Sequence, residues 1–157
     1  MLAYIGLGSN LKGPKEQIEK ALRVLSETKD IILLSVSSFY QSKPLLDMPG
    51  PNYLNVVCKI ETDLSAIDLL NFCQEIEENQ HRVRKIKWGS RTIDLDILLY
   101  GDQILATKRL TIPHPEMINR AFVLLPLSEI EPGLKLPLLG PLKKLLEGIE
   151  SSDVEKL

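Results

Sequence analysis

The sequence predicts an α+β fold in which two helices pack on one face of an antiparallel sheet, the ferredoxin-like arrangement, with a C-terminal extension. Alternating or β-branched apolar runs indicate strands, and apolar residues spaced three and four apart indicate helices. These segments follow one another in the order β-α-β-β-α-β. The 157 residues are 44% hydrophobic and 25% charged, which suits one globular domain covering residues 1–157.

The first half of the chain is expected to form two strands with a helix between them. The apolar run Leu2–Leu7 leads into a turn and predicts the first strand. Pro14 suits the first position of a helix, and apolar residues follow on one face at positions 18, 21, 22 and 25. Residues 31–40 are β-branched and aromatic and predict one continuous strand. Residues 42–52 hold three prolines and a glycine and predict a loop.

The second half repeats the pattern and adds a tail. Ser65 with Asp68 three residues later predicts a helix start. The buried stripe of that helix is expected to be Leu69, Cys73 and Ile76. Tyr53–Thr62 is predicted as the third strand and Thr92–Tyr100 as the fourth. The second helix is expected to end near His81, and a helix in the tail is expected over Ala121–Ile130.

Composition excludes several classes of protein. The net charge is −2, which argues against a general binder of nucleic acid or acidic membranes. Cys58 and Cys73 form no C-x-x-C motif, so a zinc site is not expected; two buried thiols are favoured over a disulfide. The first residues lack a signal-peptide layout, and apolar runs fall short of the roughly 20 residues of a membrane span. We therefore predict a cytoplasmic protein.

Two aspartates, Asp94 and Asp96, lie in the fourth predicted strand. Because side chains alternate along a strand, both project from the face opposite the helices, which we expect to be open, together with Tyr53 and Asn55. Same-face carboxylates about 6–7 Å apart repel each other unless a cation lies nearby, and an all-oxygen ligand set favours Mg²⁺. A solvated pair is the alternative, although aspartate is depleted in strands. The apolar residues expected to face the helices are Ile93, Leu95, Ile97 and Leu99.

A cationic segment precedes the aspartates. Arg82 and Arg91 lie at its two ends, where guanidinium groups can contact phosphate; the alternative is a solvated basic loop. Trp88 either stacks on a planar ligand or fills the core. His114, between two prolines, is favoured as a phosphate or ligand contact over a core histidine. The cations of the segment are Arg82, Arg84, Lys85, Lys87 and Arg91.

Two functions fit these residues. The first is Mg²⁺-dependent transfer of phosphoryl groups from a nucleotide to a small aromatic alcohol. The second is RNA binding on the open sheet face, which would need aromatic residues where the aspartates lie. The first is favoured, although no P-loop motif is present and no catalytic nucleophile is apparent.

Seven segments together resemble the 6-hydroxymethyl-7,8-dihydropterin pyrophosphokinase family of folate biosynthesis. The resemblance covers essentially the whole chain and is most specific from Arg82 to Asp96. It implies a ferredoxin-like fold and transfer of the β,γ-diphosphate of ATP to the pterin hydroxymethyl group, with release of AMP. The segments are Gly8–Asn10, Ser37–Tyr40, Tyr53–Asn55, Arg82–Arg84, Trp88–Ile97, Thr111–His114 and Asn119–Phe122.

The resemblance also implies roles for individual residues. Asp94 and Asp96 would bind two Mg²⁺ ions, and Arg82 and Arg91 would stabilise the transferring group. We predict a monomer whose partners are ATP and the pterin, with no nucleic acid and no membrane. The implied pterin contacts are Ser42, Lys43, Leu45, Tyr53, Asn55, Trp88 and Phe122. The implied ATP contacts are Leu70, Gln74, Glu77, Arg84, Lys87, Trp88, Arg91, Ile97, Arg109, Leu110, Thr111, His114 and Arg120.

Overall fold

A computed structural model describes residues 1–11, 13–44, 50–80 and 92–157 of the protein. The four helices of these segments are α1 (Pro14–Glu27), α2 (Ala66–Asn79), α3 (Ala121–Ile130) and α4 (Leu142–Glu147), and a 3₁₀ turn spans Met117–Asn119. Their strands are β1 (Leu2–Ser9), β2 (Ile31–Val36), β3 (Tyr40–Ser42), β4 (Tyr53–Thr62), β5 (Asp94–Tyr100), β6 (Leu105–Ala106), β7 (Thr111–Ile112), β8 (Lys135–Leu136), β9 (Gly140–Pro141) and β10 (Val154–Lys156).

The main sheet of the described segments is antiparallel, as predicted. Strand β1 lies at its centre, paired with β4 on one side and with β5 on the other. The far side of β4 pairs with β2 and then with β3, and β3 in turn pairs with β10. The carboxylate strand β5 therefore lies at one edge, and β1 separates it from the strand that carries Tyr53 and Asn55.

Helices α1 and α2 pack on one face of this sheet and form the helix-side core. Both begin where the sequence predicts, and in α2 the Ser65 hydroxyl accepts a hydrogen bond from the Asp68 backbone N–H at 3.1 Å. The predicted stripe of α2 is buried, with both Leu69 and Cys73 fully inaccessible to solvent. Cys58 and Cys73 are free and buried, which confirms the prediction of two thiols.

The second face of the sheet is not open, and that prediction is wrong. The tail covers much of it: α3 and α4 contribute Val123, Leu124, Leu127 and Leu142 to a second core. This core also contains Tyr4 and Val57, because the sheet has apolar side chains on that face as well as polar ones. The uncovered part is the end that holds the aspartates. The bounds of α3 are those predicted.

The predicted orientation of Leu99 is also wrong. Ile5 pairs with Ile97, but the preceding residue Tyr4 pairs with Leu99, so Leu98 is an extra residue in β5. Such a bulge reverses the alternation of side chains beyond it. Leu98 and Leu99 both pack in the second core, and Tyr100 returns to the helix-side core. The aspartates precede the bulge and keep their predicted face.

Four strand boundaries differ from the predictions. Strand β1 continues through Gly8 and Ser9, predicted to lie in a turn. Residues 31–40 do not form one strand, because the Ser37 hydroxyl accepts the Val57 backbone N–H at 3.0 Å and interrupts the ladder between β2 and β3. Ser42, predicted to lie in a loop, ends β3. Thr92 and Ile93 precede β5, and the Thr92 carbonyl accepts a hydrogen bond from the Ser9 hydroxyl.

Among the helices of the described segments, none has the length and apolar character needed to cross a membrane.

Glu131, next to the C-terminal end of α3, anchors the tail to the sheet. Its Oε1 accepts hydrogen bonds from the Tyr4 hydroxyl at 2.8 Å and from Lys59 Nζ at 2.5 Å. These bonds, Lys59 first, hold the pKa of Glu131 below its ordinary value. Because the folded state favours the ionised form, this stabilisation is present above the unfolded pKa of about 4.3 and is lost as the pH falls through the lower folded-state pKa.

We expect Glu131→Gln to lower the free energy of unfolding by about 1 kcal/mol at pH 7. The difference in Tm between wild type and variant should shrink as the pH falls below the unfolded pKa of about 4.3 and vanish below the lower folded-state pKa, where the native carboxylate is also protonated. Thermal melts of both proteins at pH 7 and pH 3.5 measure this difference in Tm. Glu147→Gln, at an exposed position of α4, is the control and should leave Tm unchanged at both pH values. A Tm difference for Glu131→Gln that does not depend on pH would contradict the assignment.

Candidate active site

Three adjacent strands bring the predicted acidic and polar residues into register. Gly8 on β1 is aligned with Asp94 on one side and with Asn55 on the other. One pleat further along β1, Gly6 is aligned with Asp96 and Val57. Directly aligned residues share a face, and Asp94 lies about 10 Å from Asn55 across two strand spacings. The result is a slot with carboxylates on one wall and Asn55 on the other.

Glycine backbone forms part of the floor of this slot, beside Val57 and Leu98. A Cβ added at Gly8 would lie 3.1 Å from Asn55 Oδ1, and one at Gly6 would lie 3.6 Å from the Leu98 side chain. Both glycines line one cavity of the described structure, together with Asp94, Asp96 and Asn55. Sequence reasoning missed them. Two glycines in alternate positions of a strand are a usable signal, because glycine inside a strand often indicates a close approach of a ligand.

The segment after Gly8 connects the two sides of the slot. The buried hydroxyl of Ser9 donates to the Thr92 carbonyl, just before β5. The buried amide of Asn10 donates to the Pro51 carbonyl at 3.0 Å, just before β4. The motif Gly8–Asn10 therefore fixes where the chain enters both walls, a structural role that its sequence did not reveal.

The carboxylate wall faces Arg120, a partly buried arginine that precedes α3. Its Nη1 lies 4.0 Å from Asp96 Oδ2, and its Nη2 donates to Glu116 Oε2 at 2.8 Å. The guanidinium also lies over the Phe122 ring, 5.6 Å from its centroid. The Arg120 side chain is 13% exposed and that of Asp96 is 34% exposed. A cation therefore borders the aspartates on the side of the tail.

His114 lies close to both groups. Burial, followed by the charge of Arg120, lowers the pKa of His114, while Glu116 and Asp94 act in the opposite direction. Nδ1 accepts the Glu116 backbone N–H at 3.2 Å, and the backbone N–H of His114 donates to the Leu98 carbonyl at 3.0 Å. A neutral imidazole whose Nδ1 is an acceptor carries its proton on Nε2, which suits it to donate to an anionic oxygen.

The opposite wall carries four of the residues implied as pterin contacts: Ser42, Lys43, Tyr53 and Asn55. Asn55 Nδ2 donates to the Ser42 hydroxyl at 2.8 Å and to the Tyr40 carbonyl at 3.4 Å. Lys43 pairs with Asp153 at 3.2 Å on the exposed rim. Five of the seven implied contacts line one cavity together with Asp94, Asp96 and Arg120: Ser42, Lys43, Tyr53, Asn55 and Phe122.

A separate group of the implied ATP contacts lies between α2 and the β6–β7 turn. Arg109 donates to Asn71 Oδ1 at 2.5 Å and to Gln74 Oε1 at 3.3 Å. Leu70 and Leu110 pack against the helix-side core, and Thr111 is exposed. The bonds from Arg109 therefore hold the β6–β7 turn against α2.

Two further implied ATP contacts, Glu77 of α2 and Ile97 of β5, lie on the helix side of the sheet. Glu77 is 2% exposed, and its Oε2 accepts the Leu95 backbone N–H at 2.9 Å, between the two aspartates. Ile97 is also 2% exposed and belongs to the helix-side core. The structure thus places both residues on the helix side of the sheet and not in the slot.

Six predicted site residues lie outside the described residues: Leu45, Arg82, Arg84, Lys87, Trp88 and Arg91.

The donor set suits a hard divalent cation shared with a ligand. Within the described segments, no group of three or more His, Cys, Asp or Glu side chains is arranged to hold a metal ion. Two carboxylates on one face remain, with Arg120 beside them. Mg²⁺ is commonly held by one or two carboxylates and takes its other ligands from water and substrate phosphates. Asp94 and Asp96 fit such an ion.

Comparison with known proteins assigns the chain to a family. The family model of 7,8-dihydro-6-hydroxymethylpterin-pyrophosphokinase (HPPK) matches residues 4–132, which include both aspartates and the whole slot. The chain belongs to the HPPK family. This confirms the resemblance found from the sequence.

HPPK relatives share much of the sequence. The 2-amino-4-hydroxy-6-hydroxymethyldihydropteridine pyrophosphokinase of Haemophilus influenzae is 54% identical over 86% of this chain and 84% of the relative. The protein of the same name from Pseudomonas aeruginosa is 44% identical over 98% of this chain and 95% of the relative.

The fold is also found among solved HPPK structures. Wild-type Plasmodium falciparum HPPK-DHPS matches 93% of this chain with a TM-score of 0.71 and 15% sequence identity. This chain spans only 44% of that protein. At this identity the match supports the fold of the domain.

Proposed function

We propose that this protein catalyses the Mg²⁺-dependent transfer of diphosphate from ATP to the hydroxymethyl group of 6-hydroxymethyl-7,8-dihydropterin, giving AMP and the pterin diphosphate. The reaction is a step of tetrahydrofolate biosynthesis. HPPK family membership over residues 4–132 carries this conclusion. The aspartate pair that lines the cavity also supports it. The alternative, RNA binding on this face, would bring RNA phosphates against the negatively charged carboxylates of Asp94 and Asp96.

Asp94 and Asp96 are proposed to hold two Mg²⁺ ions. When bound, the ions neutralise charge on the phosphates and align them for transfer. The protein contributes the position of the two carboxylates, which depends on the antiparallel pairing of β5 with β1. The hydrogen bond between Glu77 and the Leu95 N–H fixes the backbone between them.

The pterin is proposed to lie over Gly6 and Gly8 in the slot. Tyr53 and Phe122 line the cavity and present aromatic rings to a flat ligand. The amide of Asn55 supplies polar contacts whose direction is set by its bonds to Ser42 and the Tyr40 carbonyl. Lys43 lies at the rim, and Leu45 and Trp88 remain proposed pterin contacts on the strength of the family resemblance.

ATP is proposed to bind on the carboxylate side. Arg120 and His114 border the aspartates and suit the phosphates. Arg82 and Arg91 are proposed to stabilise the transferring group. The remaining proposed ATP contacts, from α2, the segment 84–91, β5 and the β6–β7 turn, are Leu70, Gln74, Glu77, Arg84, Lys87, Trp88, Ile97, Arg109, Leu110 and Thr111.

The wider predictions stay as proposals. The β-α-β-β-α-β order, with β1 between β4 and β5, supports a ferredoxin-like core that carries an added tail. A single domain over residues 1–157, a monomeric state and a cytoplasmic location complete the proposal.

The reaction is tested by identifying its nucleotide product. Purified protein mixed with MgATP and 6-hydroxymethyl-7,8-dihydropterin should release AMP and form the pterin diphosphate, both resolved by ion-exchange chromatography. Omitting the pterin should stop AMP release, and EDTA should stop the reaction. Release of ADP with the pterin monophosphate would contradict the proposal and indicate an ordinary kinase.

A further inference from the structure

Glu129, in the last turn of α3, uses both carboxylate oxygens to bind the segment that leads into β3. Oε1 accepts the Tyr40 hydroxyl at 2.8 Å. Oε2 accepts both the backbone N–H and the hydroxyl of Ser38, at 2.9 and 3.0 Å. Lys156 on β10 lies 3.8 Å from Oε1. Four donor groups, two from Ser38 before β3 and one each from β3 and β10, thus converge on one carboxylate, which fixes α3 relative to β3.

Both ends of this connection lead to the slot. Tyr40 lies two residues before Ser42, and its carbonyl accepts a hydrogen bond from Asn55. On the helix, Phe122 lies in the first turn of α3, seven residues or about 10 Å along the axis from Glu129. Glu129 therefore joins the element that carries Phe122 to the strand that carries Ser42.

The attachment of α3 to the sheet does not depend on Glu129 alone. Val123, Leu124 and Leu127 bury the middle of the helix in the second core. Glu131 supplies a second polar anchor through Tyr4 and Lys59, on strands β1 and β4. Glu131 directly follows the helix. The partners of both glutamates lie outside the cavity lining, but the Tyr40 carbonyl accepts a hydrogen bond from Asn55, which does line the cavity. Loss of Glu129 should therefore shift the helix against β3 without detaching it.

We propose that Glu129 is a positioning residue that sets the separation between Phe122 and the Ser42–Asn55 side of the slot, and thereby the affinity for the flat substrate ring. The proposal rests on the placement of the pterin described above. Glu129 does not touch the substrate. It acts through Tyr40 and Ser38, whose orientation its two oxygens determine.

The test compares two matched substitutions at the C-terminal end of α3, Glu129→Gln in its last turn and Glu131→Gln directly after it. Glutamine keeps the size of the side chain but removes the charge and one acceptor oxygen, so in Glu129→Gln an amide nitrogen must donate at a position where a charged carboxylate oxygen accepts from Tyr40 or Ser38. We expect it to raise the KM for the pterin about tenfold, the effect of losing one hydrogen bond to a charged acceptor, with kcat and the KM for MgATP little changed. Glu131→Gln should lower Tm and leave all three kinetic constants unchanged.

Tyr40→Phe removes only the hydroxyl. It tests the same contact from the other side, even if the Glu129→Gln variant does not fold. It should raise the KM for the pterin in the wild-type background and add little to Glu129→Gln, because both changes break the same contact. Equal effects of Glu129→Gln on the KM for pterin and for MgATP would overturn the proposal, as would unchanged pterin KM in both Glu129→Gln and Tyr40→Phe. Wild-type AMP release, measured first in the same assay, tests the reaction separately.

Discussion

Replacing Asp96 with alanine is expected to lower kcat by about a thousandfold or more while the protein stays folded. Asp96 is one of the two carboxylates on the face that lines the cavity, and without it the pair cannot hold the metal ions proposed to neutralise the phosphates. Its side chain is 34% exposed and lies outside both cores, so its loss leaves no cavity in the packing. AMP release measures the activity, and circular dichroism with a thermal melt measures the fold.

Two further variants make the result specific. Asp96→Asn keeps the shape of the side chain and removes its charge, so it should be nearly as inactive as Asp96→Ala. Asp102→Ala removes an exposed carboxylate just after β5 and should keep full activity. If Asp96→Ala unfolds, the aspartate has a structural role. If the variant folds and keeps more than about a tenth of the wild-type kcat, the metal assignment is wrong.

Introducing a side chain on the floor of the slot is expected to have the second large effect. In Gly8→Val the Cβ would lie 3.1 Å from Asn55 Oδ1, and two further methyl groups would occupy the space proposed for the pterin. An overpacked site of this kind costs about 1–3 kcal/mol, so the Kd for the pterin should rise about ten- to a hundredfold. Pterin fluorescence measures that Kd directly.

The matched control is Gly133→Val, at an exposed turn where an added Cβ meets no atom within 4 Å. It carries the same substitution and should bind pterin as wild type does. Gly8→Ala should lie between the two, because Asn55 has to move only slightly to admit one Cβ. Normal pterin affinity in Gly8→Val would mean that the ligand does not lie on this floor.

Sequence patterns predicted the elements that have a clear period. The stripe of α2 and the shared face of Asp94 and Asp96 follow from spacing alone, and the structure confirms both. The orientation of Leu99 did not follow, because one extra residue in β5 reverses the alternation and leaves no local mark in the sequence. The covered second face was missed because α3 is apolar on nearly every side and does not indicate what it packs against.

The site was predictable only where side chains reveal their chemistry. Charged residues such as Asp94 and Asp96 suggested a ligand before any fold was known, and the family resemblance added Phe122. Gly6 and Gly8 contribute by having no side chain, and composition does not show which glycines do so. The bond between Tyr40 and Glu129 spans 89 positions, so no local pattern contains it. Such long-range contacts appear only once the tail lies on the sheet.

The glycine floor of the slot has a consequence for inhibition. Resistance commonly arises when a target replaces a side chain that the inhibitor needs, but Gly6 and Gly8 offer an inhibitor only backbone atoms. Substitution there adds atoms and obstructs the natural substrate as well. A planar inhibitor resting on this floor would therefore leave the cell few mutations that exclude the drug and keep the pathway running.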